Sequence, residues 1–233
     1  MLVLYSPQAA QDAGGPDAVR EIADAAVEFT NLALVQSQAK VRTRIVAVAP
    51  APDYNPTGAD ERDAAYDYVI DPPASAVQLR DAHRADVTAV IASDVGGFAM
   101  APSSRPLPVE SPGAGPRMLL GQDLTRREPD VLAHEFGHLL GLEHDGYADG
   151  DHDPGDGYLH ARGYVAPSLK WRDIMAYENK CTDAGAECPV IPYFSNPRLT
   201  YQGEPLGVPI GQPGQADAVS MLDESAPVVA NYR

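Results

Sequence analysis

The stretch His134-Glu-Phe-Gly-His138-Leu-Leu-Gly141-Leu-Glu-His144-Asp145 decides how this chain is interpreted. Residues four apart lie on one face of an α-helix, so His134 and His138 can direct two imidazole rings at one ion. Glu135 lies next to the first ring, where its carboxylate can take a proton from a metal-bound water. The spacing therefore predicts a helical metal site with a general base beside it.

A third histidine cannot face the same ion if the helix simply continues, because His144 would then point away from it. Gly141 removes this difficulty, since glycine readily adopts the left-handed conformation that ends a helix and turns the chain back. Three nitrogen ligands leave a fourth position for water, which distinguishes a catalytic zinc site from a closed structural one. We therefore predict that His134, His138 and His144 bind Zn²⁺.

A second segment strengthens this interpretation. A bare H-E-x-x-H motif is weak, but the added glycine and third histidine make it specific, and with a later methionine turn it is the metzincin signature. Trp171-Arg-Asp-Ile-Met175-Ala-Tyr177 follows His144 by about thirty residues and resembles that turn. A methionine alone would indicate little, because methionine commonly fills gaps in protein cores.

Further segments resemble the bacterial reprolysin-like peptidases, including the peptidyl-Asp metalloendopeptidase group. These segments are Ala133 to Gly141, Asp173 to Tyr177, the Cys181/Cys188 pair, Tyr193-Phe-Ser-Asn-Pro197 and the final Asn231-Tyr-Arg. The resemblance implies a secreted zinc endopeptidase in which Met175 packs beneath the metal without binding it. Tyr177 resembles the tyrosine that binds the resting zinc or stabilises the transition state in the astacin and serralysin branches of the metzincins. Reprolysins lack that role, so a core aromatic side chain is the alternative for Tyr177.

The predicted activity is hydrolysis of internal peptide bonds through a metal-activated water, with Glu135 as general base. Protein or peptide substrates are expected to bind extended along a sheet edge, for which residues 117–121 are our candidate. Asp145 is expected to hydrogen-bond the backbone of the methionine turn. The alternatives are a zinc amidase acting on a non-protein amide, and an inactive or non-peptidase zinc- or calcium-binding module. The presence of Glu135 argues against a module without activity, because a structural site needs no base.

An acidic, glycine-rich segment follows the zinc motif. Carboxylates that alternate with glycine resemble a calcium loop, because hard cations need several oxygen ligands from a tightly turning chain. A Ca²⁺ site is therefore one prediction, with Asp149, Asp151, Asp153 and Asp156 as its ligands. The glutamate of an EF-hand is missing, and a solvated Asp/Gly turn is the alternative.

Composition excludes two classes of partner. The net charge is −16, with 33 acidic and 17 basic residues, whereas nucleic acid requires clusters of Lys and Arg. No apolar run reaches the roughly 20 residues of a membrane helix, so no membrane span is predicted. We expect a monomer.

The two cysteines bear on the compartment. Cys181 and Cys188 have six residues between them, a spacing wider than that of the usual zinc-binding pair. Free thiols remain an alternative, but a disulfide is the better fit and would contribute roughly 2–3 kcal/mol. A disulfide implies an oxidising compartment, so a secreted or periplasmic protein is expected. Residues 2–5 read as a strand and not as a signal peptide, so we expect any leader or pro-segment to lie outside this chain.

Alternating strand and helix patterns in the first half predict an α/β (α+β), metzincin-like fold with a mixed twisted sheet and long helices. The predicted strands are 2–5, 41–48, 87–92 and 117–121, and the predicted helices are 16–39, 75–85 and the zinc-binding helix 126–140. An irregular lobe over 145–215 and a closing helix over 216–231 follow. We predict two subdomains, 1–144 and 145–233, within one catalytic domain.

Overall fold

The computed structural model describes residues 1–56, 60–100, 115–150 and 158–232. Contacts between Cα atoms divide the chain into two compact units. Unit 1 comprises Met1–Thr30, Thr43–Leu139 and Pro227–Arg233, and unit 2 comprises Asn31–Arg42 and Leu140–Ala226. The predicted subdomain boundary after His144 stays a prediction.

Unit 1 is built on a five-stranded mixed sheet. Its strands are β1 (Leu2–Tyr5), β2 (Ala47–Pro50), β3 (Thr88–Ala92), β4 (Phe98–Met100) and β5 (Arg117–Gly121), in the order β2-β1-β3-β5-β4. All neighbours are parallel except β4, which runs antiparallel to β5. Strands β1 and β3 are buried at every position, as parallel strands covered on both faces are. The mixed sheet with several helices confirms the predicted fold class at this level.

The helices of unit 1 follow the strands along the chain. They are α1 (Pro7–Ala13), α2 (Pro16–Gln36, which enters unit 2 after Thr30), α3 (Glu61–Ile70), α4 (Ala74–Ala82), α5 (Gln122–Arg127) and α6 (Asp130–Leu139). One apolar cluster joins α3 and α4 to the sheet, with Leu4, Val90 and Leu119 from the strands against Tyr68 and Val69. Burial of this cluster fixes the layer of helices on the sheet.

Three elements of unit 1 were not predicted. Helix α1 has Ser6 at its N-cap, accepting from the Ala9 N–H at 3.0 Å. Helix α3 has Asp60 at its N-cap, accepting from the Asp63 N–H at 2.8 Å. The third element is strand β4. Both helices carried readable capping signals, whereas a three-residue strand has too short a pattern to detect.

The predicted strand 41–48 is wrong over residues 41–46. Strand β2 begins at Ala47, which pairs with Leu2. The partner strand β1 starts at that same Leu2, so no strand in the described part of the chain pairs with the residues before 46. The alternation of apolar and polar side chains in a sequence does not show where the neighbouring strand ends.

The predicted continuous helix 126–140 is also wrong, because it is two helices. Helix α5 ends at Arg127, and Glu128 has φ −128° and ψ 81°, outside the helical region. Pro129 explains the break, because the ring of a proline excludes the helical conformation from the residue before it. Thr125 therefore lies inside α5 and does not cap the zinc-motif helix, which begins at Asp130.

The candidate substrate edge at 117–121 is a third correction. Strand β5 lies between β3 and β4 and is hydrogen-bonded on both sides. Among the described residues, β4 is the edge strand next to β5. The other edge of the described sheet is β2, so a strand added next to the predicted segment would pair with Phe98–Met100.

Unit 2 is largely irregular, as predicted for the C-terminal lobe. It contains α7 (Gly146–Asp149), α8 (Asn179–Asp183), a hairpin of β6 (Asn196–Tyr201) and β7 (Glu204–Leu206), and most of α9 (Ala218–Val229). Trp171, fully buried, packs with Ile191 and Leu206. Pro227 lies inside the last turn of α9.

Cys181 and Cys188 form the predicted disulfide. The bond connects α8 to the following turn and packs with Val165 and Ala176. No helix in the described part of the chain combines the length and the hydropathy needed to cross a membrane.

Replacing both cysteines by serine is expected to lower the free energy of unfolding by about 2–3 kcal/mol, because the unfolded chain regains loop freedom. Urea denaturation of the double variant measures this loss, and the reduced wild type serves as its control. An unchanged free energy of unfolding in both samples would contradict the expectation.

Candidate metal centre

Helix α6 places two histidines side by side. The Nε2 atoms of His134 and His138 are 3.1 Å apart, as expected for rings one helical turn apart. The helix packs against β4 and β5, so the sheet fixes its position. Both histidines are half-buried.

The chain leaves the helix just after this pair. Gly141 has φ +89°, the left-handed conformation that was predicted there. One ligand atom each of His134, His138 and His144 lie within 4.8 Å of one another. Zinc–nitrogen bonds of 2.0–2.1 Å in a tetrahedral arrangement require nitrogens roughly 3.3–3.4 Å apart. The donor set and its spacing therefore fit a zinc ion.

His144 is oriented by two neighbours. Its Nδ1 lies 3.0 Å from Oδ1 of Asp149, and its ring stacks on Tyr177 with centroids 4.2 Å apart. If Nδ1–H donates to the carboxylate, Nε2 presents its lone pair to a metal. Asp149, predicted as a calcium ligand, thus contacts a predicted zinc ligand, while the other three calcium candidates, Asp151, Asp153 and Asp156, lie outside the described residues.

Asp145 uses both carboxylate oxygens. Its Oδ1 accepts from the N–H groups of Tyr147 and Ala148 at 3.0 and 3.2 Å, which caps α7. Its Oδ2 accepts from the Tyr177 N–H at 2.9 Å. The predicted hydrogen bond from Asp145 to the backbone of the methionine turn is therefore present.

The methionine turn is held by a buried aspartate. Oδ1 of Asp173 accepts from the N–H groups of Met175 and Ala176 at 3.1 and 3.0 Å. Met175 is fully buried, whereas Tyr177 is 45% exposed. A Cβ at Gly163 would lie 2.6 Å from Met175 C, so only glycine allows this approach. The sequence did not lead us to the roles of Asp173 and Gly163 in this turn. The role of Asp173 follows a known turn pattern, in which an aspartate side chain accepts from the backbone N–H two residues later.

Glu135 is buried beside a second glycine. Its side chain is 6% exposed, and a Cβ at Gly97 would lie 2.1 Å from its Oε1. Gly97 directly precedes strand β4, so the carboxylate lies at the sheet edge. Burial raises the pKa of Glu135 to about 8, because a charged carboxylate loses its hydration there. The sequence offered no signal for Gly97, since its role depends on a contact 38 positions along the chain.

Comparison with known proteins places the sequence among peptidases. The sequence model of metallopeptidase family M12B, reprolysin-like, matches residues 21–145. A peptidyl-Asp metalloendopeptidase of Stenotrophomonas maltophilia (strain R551-3) is 36% identical over 105 residues, covering 44% of this chain and 22% of the relative. Proteins of the same name from Pseudomonas aeruginosa and Pseudomonas fragi are 27% identical over 250 residues and 39% over 71 residues.

These matches differ in coverage. The match to the P. aeruginosa relative covers 100% of this chain and 40% of that relative. The match to the P. fragi relative covers 30% of this chain and 43% of that relative. The chain therefore spans less than half the length of these relatives. A solved structure described as "Structure of a chaperone-substrate complex" matches with a TM-score of 0.68 at 20% identity, over 100% of this chain and 35% of that chain. This last likeness concerns the fold alone.

Asp149→Ala is expected to weaken zinc binding by roughly 10- to 100-fold, because the carboxylate orients the His144 ring. Competition with a chromophoric chelator measures the dissociation constant. Asp183→Ala is the matched control, since it removes the 2.6 Å hydrogen bond to Tyr147 that holds α7 without touching His144. Equal losses in both variants would assign the effect to a loosened α7 instead.

Asp173 should make stability depend on pH. Burial is the main cause that raises its pKa to about 8, whereas in the unfolded chain the pKa is about 3.9. Between these values the folded state keeps a proton that the unfolded state releases, so the free energy of unfolding falls as pH rises from about 4 to 8. Asp173→Asn cannot ionise and should remove this decline.

The measurement is urea denaturation at pH 5 and pH 7.5 with zinc saturating. We expect the variant to gain at least about 1 kcal/mol relative to wild type between the two values. Asp24→Asn, at an exposed position, controls for the loss of a carboxylate. Parallel pH profiles of wild type and Asp173→Asn would show that Asp173 titrates normally.

Proposed function

The chain belongs to the reprolysin-like family M12B of metallopeptidases, and on this premise we propose that it is a zinc-dependent endopeptidase. The observation that carries the proposal is the three-histidine cluster, with ligand atoms within 4.8 Å, in the same motif as buried Glu135. A closed structural zinc site would use a fourth protein ligand. Among the described residues, only these three histidines group in this way.

In the proposed mechanism His134, His138 and His144 hold the metal. A zinc ion bound there would lower the pKa of its water toward 7 and would polarise the scissile carbonyl. Glu135 accepts the water proton and passes it to the leaving amine. Gly97 leaves room for the Glu135 carboxylate at the sheet edge, and a bound cation favours its ionised form.

Tyr177 has a supporting role in the proposal. Its ring stacks on His144, its N–H is held by Asp145, and its side chain is 45% exposed. An exposed phenol beside a proposed ligand is suited to bind the metal or to stabilise charge in the transition state. Met175 forms the packed floor of the turn and does not bind the metal.

Substrates are proposed to bind extended along β4. Among the described residues no strand pairs with β4 on the side away from β5, and β4 begins next to Gly97, which lies against Glu135. Peptide addition to a sheet edge provides affinity for any sequence through backbone hydrogen bonds. Because relatives bear the name peptidyl-Asp metalloendopeptidase, bonds beside aspartate are the first substrates to test.

A secreted or periplasmic location is part of the proposal. The disulfide Cys181–Cys188 supports it, because disulfides persist in oxidising compartments. The excess of acidic residues is compatible with a protein that stays soluble outside a cell.

Glu135→Gln is expected to retain zinc and to lose at least about 10²-fold in kcat/KM, because the general base is gone while the metal ligands remain. Hydrolysis of a diverse library of quenched fluorescent peptides, with metal analysis of each protein, makes the measurement. Glu178→Gln, at an exposed position, is the control and should keep full activity.

Two results would count against the proposal. Cleavage only at chain ends would make the protein an exopeptidase. A wild type that holds zinc and cleaves no peptide would favour a non-protein amide as substrate or a binding role.

A further inference from the structure

Two aromatic rings lie at the edge strand β4, and we call them the aromatic pair. Phe98 is the first residue of β4, and Tyr66 lies on α3. Their ring centroids are 5.4 Å apart, and the ring planes are inclined by 58°. Both residues are only half-buried, so part of this aromatic surface is open to solvent.

The aromatic pair lies on the face of the sheet that packs against α3 and α4. Phe98 and Met100 pack against the apolar cluster on that face, which includes Leu119, the cross-strand partner of Phe98 on β5. Successive side chains of a strand point to opposite faces, so Ala99 points to the other face. The aromatic pair therefore continues an apolar face of the sheet as far as β4.

This surface begins next to the proposed general base. Phe98 directly follows Gly97, which lies against the carboxylate of Glu135. Helix α6, which carries Glu135, packs against β4. Because consecutive Cα atoms are about 3.8 Å apart, a substrate strand that runs along β4 reaches Phe98 within a few residues of the bond that the base acts on.

A strand added to β4 brings its own side chains against those of β4. Directly opposite residues have Cβ atoms about 4.5–5.5 Å apart on the same face. One of every two substrate side chains thus lies on the face of the aromatic pair. Aromatic and β-branched side chains opposite an aromatic ring stabilise the pairing, whereas a charged side chain there loses hydration against an apolar surface.

From this placement we infer that Phe98 and Tyr66 form an apolar subsite, which selects a large apolar substrate side chain a few residues from the scissile bond. The inference rests on the proposed endopeptidase function with substrate bound along β4, and it adds a side-chain preference to that function. It concerns apolar side chains and is separate from any preference for aspartate.

The test uses quenched fluorescent peptides built around one bond that wild type cleaves. Phenylalanine replaces alanine at one position at a time on both sides of that bond, and each ratio of kcat/KM is measured. For wild type we expect a ratio of roughly 3 to 10 at the position opposite Phe98, the range for an aromatic pair. Phe98→Ala should lower this ratio to about 1. It should leave the ratios at the two neighbouring positions as in wild type, because those side chains lie on the other face.

Two further variants complete the test. Tyr66→Ala should lower the ratio at the same position only, since it removes the second ring, and it decides the question if Phe98→Ala fails to fold. Ile70→Ala is the matched control, because it removes a large apolar side chain that is 51% exposed on the same helix α3. Its ratios should equal those of wild type at every position.

Three outcomes overturn the inference. If Phe98→Ala and Tyr66→Ala keep every ratio, whatever their overall rates, the two rings only support the sheet. A wild type whose kcat/KM rises at no position lacks the apolar subsite, while the endopeptidase function stands. A wild type that cleaves no peptide of the diverse library removes the proposed function, and the inference with it.

Discussion

The geometry of an α-helix sets the main constraint on this protein, because one helical face can present only two of three histidines to one ion. The chain must therefore leave the helix between His138 and His144, and it does so through Gly141 in the left-handed conformation. The residues after Gly141 must therefore form a tight turn. Asp145 stabilises that reversal by capping α7 and binding the Tyr177 N–H. The order of residues after the motif thus follows from the need for a third ligand.

Carboxylates recur around the motif, and their surroundings separate their roles. Glu135 is desolvated against a glycine, which prepares it to exchange a proton. Asp173 is more deeply buried and holds a turn through backbone N–H groups. Asp149 remains partly exposed and contacts an imidazole. The same functional group therefore anchors a turn at Asp173, contacts an imidazole at Asp149 and is proposed to act as a base at Glu135, according to its burial and hydrogen bonds.

Local sequence patterns made part of the fold and of the candidate site predictable. Some features depend only on residues close together in the chain, so the sequence indicates them. They are the spacing of His134 and His138, the left-handed Gly141 and the buried strands. Features that depend on distant contacts were not: Gly97 and Gly163 matter only because of what packs against them. The split at Pro129 was misjudged because a proline that suits a first helical turn also disfavours helix in the residue before it.

The double engagement of Asp145 has a consequence for how this region can change over evolution. One carboxylate fixes the start of α7 and also the backbone of Tyr177. A substitution there alters two neighbourhoods in a single step, and no second change at one partner restores the other. Substitutions are therefore expected to accumulate at side chains that surround the loop, and rarely at position 145 itself.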